Sequence, residues 1–417
     1  MRLIVLDPGH FHATLLQKEM YAELDPRVTV YAPLGGEVIE YLRRVSLFNS
    51  RADNPTRWAI DVHLSERFVD ELLRDRAGEI VVFAGKNNVK IERMMTALSA
   101  GLHCLSDKPW IIRASDMTKL EQALDAAEQR GIIAYDIMTE RYEVTSELQR
   151  ELVNVPEIFG EAVKGDPAHP GVYARSVHNV MKTVAGVPLR RPWWFFDVEI
   201  QGEGLSDVGT HVVDLVQWTL FPDQQFDYRH DIQVLEGRRW PLVLTKEQLD
   251  MVTGGCDLPL VDGKFEYYCD NFVHYTLRGI HVKMDISWDW EAPPGAGDIY
   301  EATFRGTRSN IEIRQGATEA HVPELYVVPQ LQVRDEVFAA LQKWAAGRFR
   351  IQHLAGEARV IIPQEMRVGH EAHFAQVARR FLGYVGQPGS LPAWERSFML
   401  AKYYVSTLGV ELGRQNR

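Results

Sequence analysis

The hydrophobic pattern changes its period along the chain. In the first third, short uninterrupted apolar runs alternate with stretches whose apolar residues recur every three or four positions. The runs at residues 3–6, 28–31, 79–84, 102–105 and 132–135 predict strands. The intervening spacing predicts helices over residues 11–21, 89–100 and 115–129, with Ser115 as the cap of the last. Continuous apolar strands alternating with amphipathic helices describe βαβ units and a doubly wound parallel sheet, buried on both faces. Such a sheet takes ligands at the carboxyl ends of its strands.

From about residue 143 the pattern changes. Residues 172–178 predict a strand, and residues 264–277 and 281–290 alternate like antiparallel strands around a turn at Arg278-Gly279. Residues 302–304 and 311–313 add strands, and helical patterns at 370–384 and 392–412 close the chain. The expected fold class is α/β: an N-terminal Rossmann domain over residues 1–142, then an α+β domain over 143–417. The second domain is built on a large, open, mainly antiparallel sheet, with one face on helices and one lining a cleft.

Composition narrows the classes. A length of 417 residues exceeds what one core usually serves, which agrees with two domains. The chain is 46% hydrophobic and 25% charged, an ordinary globular balance. A net charge of −11 argues against nonspecific nucleic-acid binding and against an anionic membrane surface. Cys104, Cys256 and Cys269 show no CxxC spacing, which points to a reducing compartment. The first apolar run stops at Asp7-Pro8-Gly9, too short for a secretory signal core, and no run is long enough to span a bilayer. A cytoplasmic location is expected. An open sheet with one exposed face is an association surface, so a homo-oligomer, dimer or tetramer, is expected as well.

Candidate chemistry gathers at residues 202–214. Asp207 and His211 are four apart and Asp214 follows three later, on one face of a helix starting near Leu205. Gly202 and Gly204 let the chain enter that helix tightly. A carboxylate beside an imidazole can fix its tautomer and keep it usable as a base near neutral pH. The same spacing serves a merely structural or solvated pair. A metal site of Asp207, His211 and Asp214 is a third option, but no second ligand cluster accompanies it and no metal is expected. Ser106-Asp107-Lys108-Pro109 follows a strand, and Pro109 keeps Lys108 out of helical geometry. A lysine leaving a sheet edge there can stabilise an alkoxide, or can simply be solvated. Aromatic and charged residues around Trp194, with His178 and Lys182 upstream, suit a sugar whose C–H faces stack on rings. A core aromatic cluster is the plain alternative. The polar turn at residues 291–298 is placed to border the pocket.

The first strand-turn-helix departs from the dinucleotide fingerprint. Asp7, Gly9 and His12 stand where glycines would, and only Gly9 remains. Backbone N–H groups at the helix start can still meet a pyrophosphate, with His10 or His12 as a donor. Asp7 would repel it unless turned away. The second strand ends Tyr31-Ala32-Pro33, without an acid for the ribose. Ala84 to Asn88 follows a strand and can line a cofactor edge. A cofactor-free α/β domain is the alternative.

Three stretches carry a resemblance. Residues 97–109 end in Asp107-Lys108-Pro109, residues 136–142 contain Arg141, and residues 202–214 read Gly-Glu-Gly-Leu-Ser-Asp-Val-Gly-Thr-His-Val-Val-Asp. Together and in this order they resemble the Gfo/Idh/MocA oxidoreductases, the glucose-fructose oxidoreductase and inositol dehydrogenase family. The opening Asp-Pro-Gly-His-Phe-His is similar to the subgroup with a "putative oxidoreductase C-terminal domain". The resemblance implies Lys108, Asp207 and His211 as the catalytic set, with Asp107 in place of the family's glutamate. NAD or NADP is expected to be held by Gly9, His10, His12, Ala84, Asn87, Asp107 and Lys108. NAD is favoured because no basic cluster follows the second strand at once. Substrate contacts are expected from Arg141, His178, Lys182, Trp194, Asp207 and His211. The expected activity is hydride transfer between nicotinamide and a hydroxyl carbon of a sugar, glycoside or polyol. Two alternatives use the same parts: glycoside cleavage through transient oxidation and elimination, and a non-catalytic sugar- or nucleotide-sensing protein.

Overall fold

The structure, a computed structural model, describes residues 1–184 and 187–416. The first domain runs β1 (Leu3–Leu6), α1 (His12–Leu15), β2 (Arg27–Ala32), α2 (Gly36–Ser50), β3 (Ala59–Leu64) and α3 (Phe68–Asp75). It continues through β4 (Ile80–Phe83), α4 (Lys90–Ser99), β5 (His103–Ser106), α5 (Met117–Arg130) and β6 (Ala134–Asp136). The six strands are parallel, in the order β3-β2-β1-β4-β5-β6. β1 is wholly apolar because it is central and buried on both faces. Strand order reverses between β1 and β4, so the crevice beyond their carboxyl ends is the switch point where such sheets hold ligands.

Two local expectations are corrected. The helix expected over residues 11–21 is only α1 and a 3₁₀ turn, Leu16–Lys18. The carbonyls that would prolong it are taken elsewhere: Trp58 Nε1 donates to Gln17 O at 2.7 Å and Arg51 Nη2 to Lys18 O at 2.6 Å. Ser115 does not cap α5; a 3₁₀ turn, Ala114–Asp116, leads into it without a side-chain cap.

The second domain opens with α6 (Val144–Val153) and β7 (Val172–Met181), followed by the short pair β8 (Thr183–Val184) and β9 (Val187–Pro188). Then come α7 (Gly204–Asp207), α8 (Gly209–Leu220), α9 (Tyr228–Asp231), β10 (Ile232–Thr245), α10 (Lys246–Thr253), β11 (Lys264–Leu277) and β12 (Ile280–Glu291). The remainder is β13 (Ile299–Arg305), β14 (Ser309–Arg314), β15 (Glu324–Pro329), α11 (Arg334–Ala345), β16 (Arg350–His353), β17 (Ala358–Ile361), α12 (His370–Gly386) and α13 (Ala393–Gln415). Nine strands form one open sheet, β10-β11-β12-β7-β13-β14-β15-β17-β16. Neighbours are antiparallel except β12 with β7.

The long C-terminal helices tie the two sheets together. Phe374, Val377, Ala378 and Phe381 of α12 join the core formed by Leu3, Val5, Val28 and Val30 of the first sheet. Each fully buried phenylalanine there contributes roughly 2–3 kcal/mol. α13 lies on β10 and α8. Tyr173 of β7 and Leu235, Trp240 and Val243 of β10 are exposed. Among the described residues no helix is long and apolar enough to cross a membrane.

Candidate active site

Both domains supply walls to a cavity of about 420 Å³ at the carboxyl end of the first sheet. Lys108 reaches it from the end of β5, Asp207 and His211 from α7 and α8, and His178, Trp288 and Tyr300 from the second sheet. The entry into α7 depends on glycine. Gly202 has φ +90°, and a Cβ on Gly204 would run into the carbonyl of Cys269 on β11. The helix start is anchored by Asn271, which accepts from Leu205 N at 2.8 Å and donates to Glu203 Oε2 at 2.9 Å.

The central contact is Lys108 Nζ to Asp207 Oδ1, at 2.5 Å. Both side chains are buried, 7% and 8% exposed. Burial alone disfavours the lysine's charge, yet Asp207 and Asp107 outweigh it and hold Lys108 above its ordinary range. Burial likewise works against the Asp207 carboxylate, and Lys108 more than compensates, so Asp207 stays ionised. His211 stands beside this pair with no hydrogen bond to it. Its Nδ1 is buried without a partner. Burial first, then the charge of Lys108, hold the ring well below its ordinary pKa, so it is neutral at neutral pH. The expected Asp207–His211 pair is therefore replaced by Asp207–Lys108, because the lysine arriving from the other domain is the stronger partner for a buried carboxylate.

The other expected residues divide. His178 and Lys182 line the cavity and share Asp298, at 3.5 Å and 2.9 Å. Burial pushes His178 down to about 4. Arg141 does not reach this cavity. Its guanidinium grips Asp214 at 2.6 and 2.7 Å and Glu395 at 2.9 and 3.1 Å, tying α8 to α13. Lys402 adds contacts to Asp136 at 2.9 Å and Asp214 at 3.6 Å. Asp214 is thus consumed by cations and offers nothing to a metal with Asp207 and His211. Trp194 is also away from the cavity. It packs on the first βα turn, where a Cβ on Gly9 would fall 2.5 Å from its Cζ2, and its Nε1 donates to Glu37 Oε1 at 2.9 Å.

Several lining groups carried no signal in the sequence. Glu140, pushed up to about 7 by burial and then by Glu143, lines the cavity with Trp288, Tyr300, Asp298 and His370. Trp288 Nε1 and Tyr300 Oη are buried without partners. Only the polar turn ending at Asp298 was marked by composition. A larger cavity, about 650 Å³, is lined by Arg141, Trp218, Trp394 and Glu395. Arg141 pairs there with Glu395 at 2.9 Å and Arg150 with Asp223 at 3.6 Å, and the lining has neither a histidine nor a lysine–carboxylate pair.

Around the switch point, the expected cofactor residues are largely engaged. His10 N donates to Ala84 O at 2.6 Å. Asn87 Nδ2 donates to Gln201 O and Oε1 at 2.7 and 3.1 Å. Asp107 receives His10 Nδ1 at 2.8 Å and His12 Nδ1 at 2.9 Å. Asp7 is turned away onto Arg93 Nη1 at 2.7 Å. A second cavity of about 330 Å³ lies over Gly9 and the start of α2, and it shares His10 and Phe11 with the first. It contains Glu37, an acid just past β2, and Arg44, whose buried Nη1 has no partner. The two cavities adjoin at the first βα turn, at the carboxyl ends of the parallel strands where such sheets hold ligands.

The family model described as "Putative oxidoreductase C terminal domain" matches residues 148–414. The fold is similar to a solved "putative oxidoreductase" from Parabacteroides merdae, 39% identical, with a TM-score of 0.96, covering 100% of this chain and 98% of that one. It is also similar to a "putative myo-inositol dehydrogenase" from Sinorhizobium meliloti, 11% identical, TM-score 0.57, covering 100% and 98%. Levoglucosan dehydrogenase, solved with NADH and L-sorbose, is 13% identical with a TM-score of 0.62, covering 100% and 97%. A comparison with curated proteins returns no match.

Proposed function

The chain belongs to the oxidoreductase family described as "Putative oxidoreductase C terminal domain", and on that premise we propose that it is of the Gfo/Idh/MocA type and moves hydride between NAD(P) and a hydroxyl carbon of a sugar, glycoside or polyol. The observation that carries this reading is the convergence of Lys108, Asp207 and a neutral His211 on one cavity. The nicotinamide ring supplies the hydride acceptor when bound. Arg44, whose buried Nη1 has no partner, and Glu37, both lining the cavity over Gly9, would hold the dinucleotide's anionic and hydroxyl groups.

The chain's own residues do the rest. His211, neutral and unclaimed by any neighbour, takes the proton from the substrate hydroxyl. Lys108 donates to the same oxygen as its charge develops, and Asp207 keeps that lysine protonated in a buried site. The unpartnered Trp288 Nε1 and Tyr300 Oη provide a ring face and a hydroxyl for a polyhydroxylated ligand. His178 and Lys182, held on Asp298, border the same space. The similar proteins named for myo-inositol and levoglucosan agree with this class.

One observation favours a second reading. Glu140 holds its proton up to about pH 7, so it can protonate a departing glycosidic oxygen. Transient oxidation, elimination and return of the hydride would then cleave a glycoside without net reduction of the dinucleotide. The test is incubation with a panel of sugars, polyols and aryl glycosides, with NAD and with NADP. Accumulating NADH or NADPH supports the first reading, and aglycone release without it supports the second. No turnover on the panel, together with no dinucleotide binding by calorimetry, would overturn both.

A further inference from the structure

The first βα turn carries a donor set that the hydride-transfer reading leaves unused. His10 and His12 stand two residues apart, on either side of Phe11, and both face the carboxylate of Asp107 at the end of β5. His10 Nδ1 lies 2.8 Å from Asp107 Oδ2 and His12 Nδ1 2.9 Å from Oδ1, with the ring centroids 4.1 Å apart. One ligating atom from each of the three residues lies within 4.8 Å of the others. Ligands about 2.0–2.2 Å from a divalent ion stand roughly 3–4 Å from one another, so small rotations of two rings bring these atoms onto one centre.

The frame around the cluster is rigid. His10 N is bonded to Ala84 O, Asp107 N to Phe83 O at 2.7 Å, and Lys90 Nζ to Asp107 O at 2.8 Å. His12 and Asp107 are buried, while His10 is 17% exposed on its side chain and opens to both cavities. The neighbouring cation does not forbid a metal, because Lys108 is already neutralised by Asp207. Two imidazoles and one carboxylate, with room beyond them, form the donor set that first-row transition metals take with open coordination positions.

We propose that His10, His12 and Asp107 bind one divalent transition-metal ion of the zinc, cobalt or manganese class. Such an ion stands where the two cavities meet and can bind an oxygen of whatever ligand crosses that junction. This departs from the expectation of no metal, which weighed only the helix at residues 207–214. It does not rest on the oxidoreductase reading.

The test uses full-length protein stripped with a chelator and contains no dinucleotide. Zn²⁺ is titrated by calorimetry, and Co²⁺ by its visible absorption. The expected result is one ion per chain at micromolar affinity or tighter. His10→Ala, and Asp107→Asn, which keeps the shape but not the charge, weaken binding at least about tenfold. Circular dichroism confirms that each variant is folded; should one not fold, the parent titration and the other variant still decide. No binding by the parent, or stoichiometric binding that survives both substitutions in folded protein, overturns the proposal. Either result leaves the turnover and dinucleotide assays to stand or fall on their own.

Discussion

Replacing Asp207 by asparagine should destabilise the protein through Lys108 rather than through His211. The two groups are 2.5 Å apart with side chains 7% and 8% exposed. Unit charges at that distance, at an effective dielectric constant of about 20, attract by roughly 6–7 kcal/mol before desolvation is counted. Removing one partner of a buried pair typically costs about 3–5 kcal/mol, because the other is left buried and uncompensated. Asp107 also favours the charged lysine, which places the expected loss near the lower end, about 3 kcal/mol. The pair raises the folded pKa of Lys108, so this stability is fully present below the lysine's ordinary pKa and is lost only as pH rises through the folded value. The assay is urea unfolding near pH 7.5 of the parent, Asp207→Asn, Lys108→Met and the double variant. Each single variant should lose about 3 kcal/mol, and the double should lose at least about 2 kcal/mol less than their sum. Additivity within about 0.5 kcal/mol would refute the coupling.

Three further outcomes follow from the same geometry. Arg141→Met should cost about 3–5 kcal/mol of stability by stranding Asp214 and Glu395, while KM for substrate is unchanged in folded enzyme; a raised KM at unchanged stability would return Arg141 to the substrate site. Gly9→Ala should lose about 1–3 kcal/mol, since its Cβ would fall 2.5 Å from Trp194 Cζ2; urea unfolding checks this, and unchanged stability would contradict the packing. Burial pushes His373 down to about 4, so the unfolded chain binds its proton first as pH falls. Stability is therefore lost from about pH 6.5 downward, by about 2 kcal/mol at pH 5 for this residue, and His373→Leu should remove that share from the difference between unfolding at pH 7 and pH 5.

The parallel sheet was legible because its central strands are short, apolar and separated by helical spacing, as at Leu3–Leu6 and Ile80–Phe83. Less of its edge was legible. β3 alternates weakly and none of its six residues is fully buried, so it carries no continuous apolar run. β10 was missed for a different reason. It is an edge strand whose pairing slips between Trp240 and Leu242, where Pro241 cannot donate to the ladder. At the site, motif spacing singled out Lys108, Asp207 and His211, which line one cavity. It could not assign their partners, because spacing of four places Asp207 and His211 on one helical face and says nothing of a lysine arriving from another domain. Arg141 and Trp194 failed the same way: their partners, Glu395 and Glu37, lie far off in sequence. Glu140, Tyr300 and His370 are isolated residues on unrelated elements, and only the folded chain collects them.

In the proposed reaction, the cavity beside Lys108 is where a proton leaves a substrate hydroxyl for His211. This step is tested most directly by single-turnover hydride transfer on folded, dinucleotide-loaded His211→Ala protein. The rate should fall by about 10²–10⁴, with dinucleotide binding retained. A rate within a few-fold of the parent would contradict it.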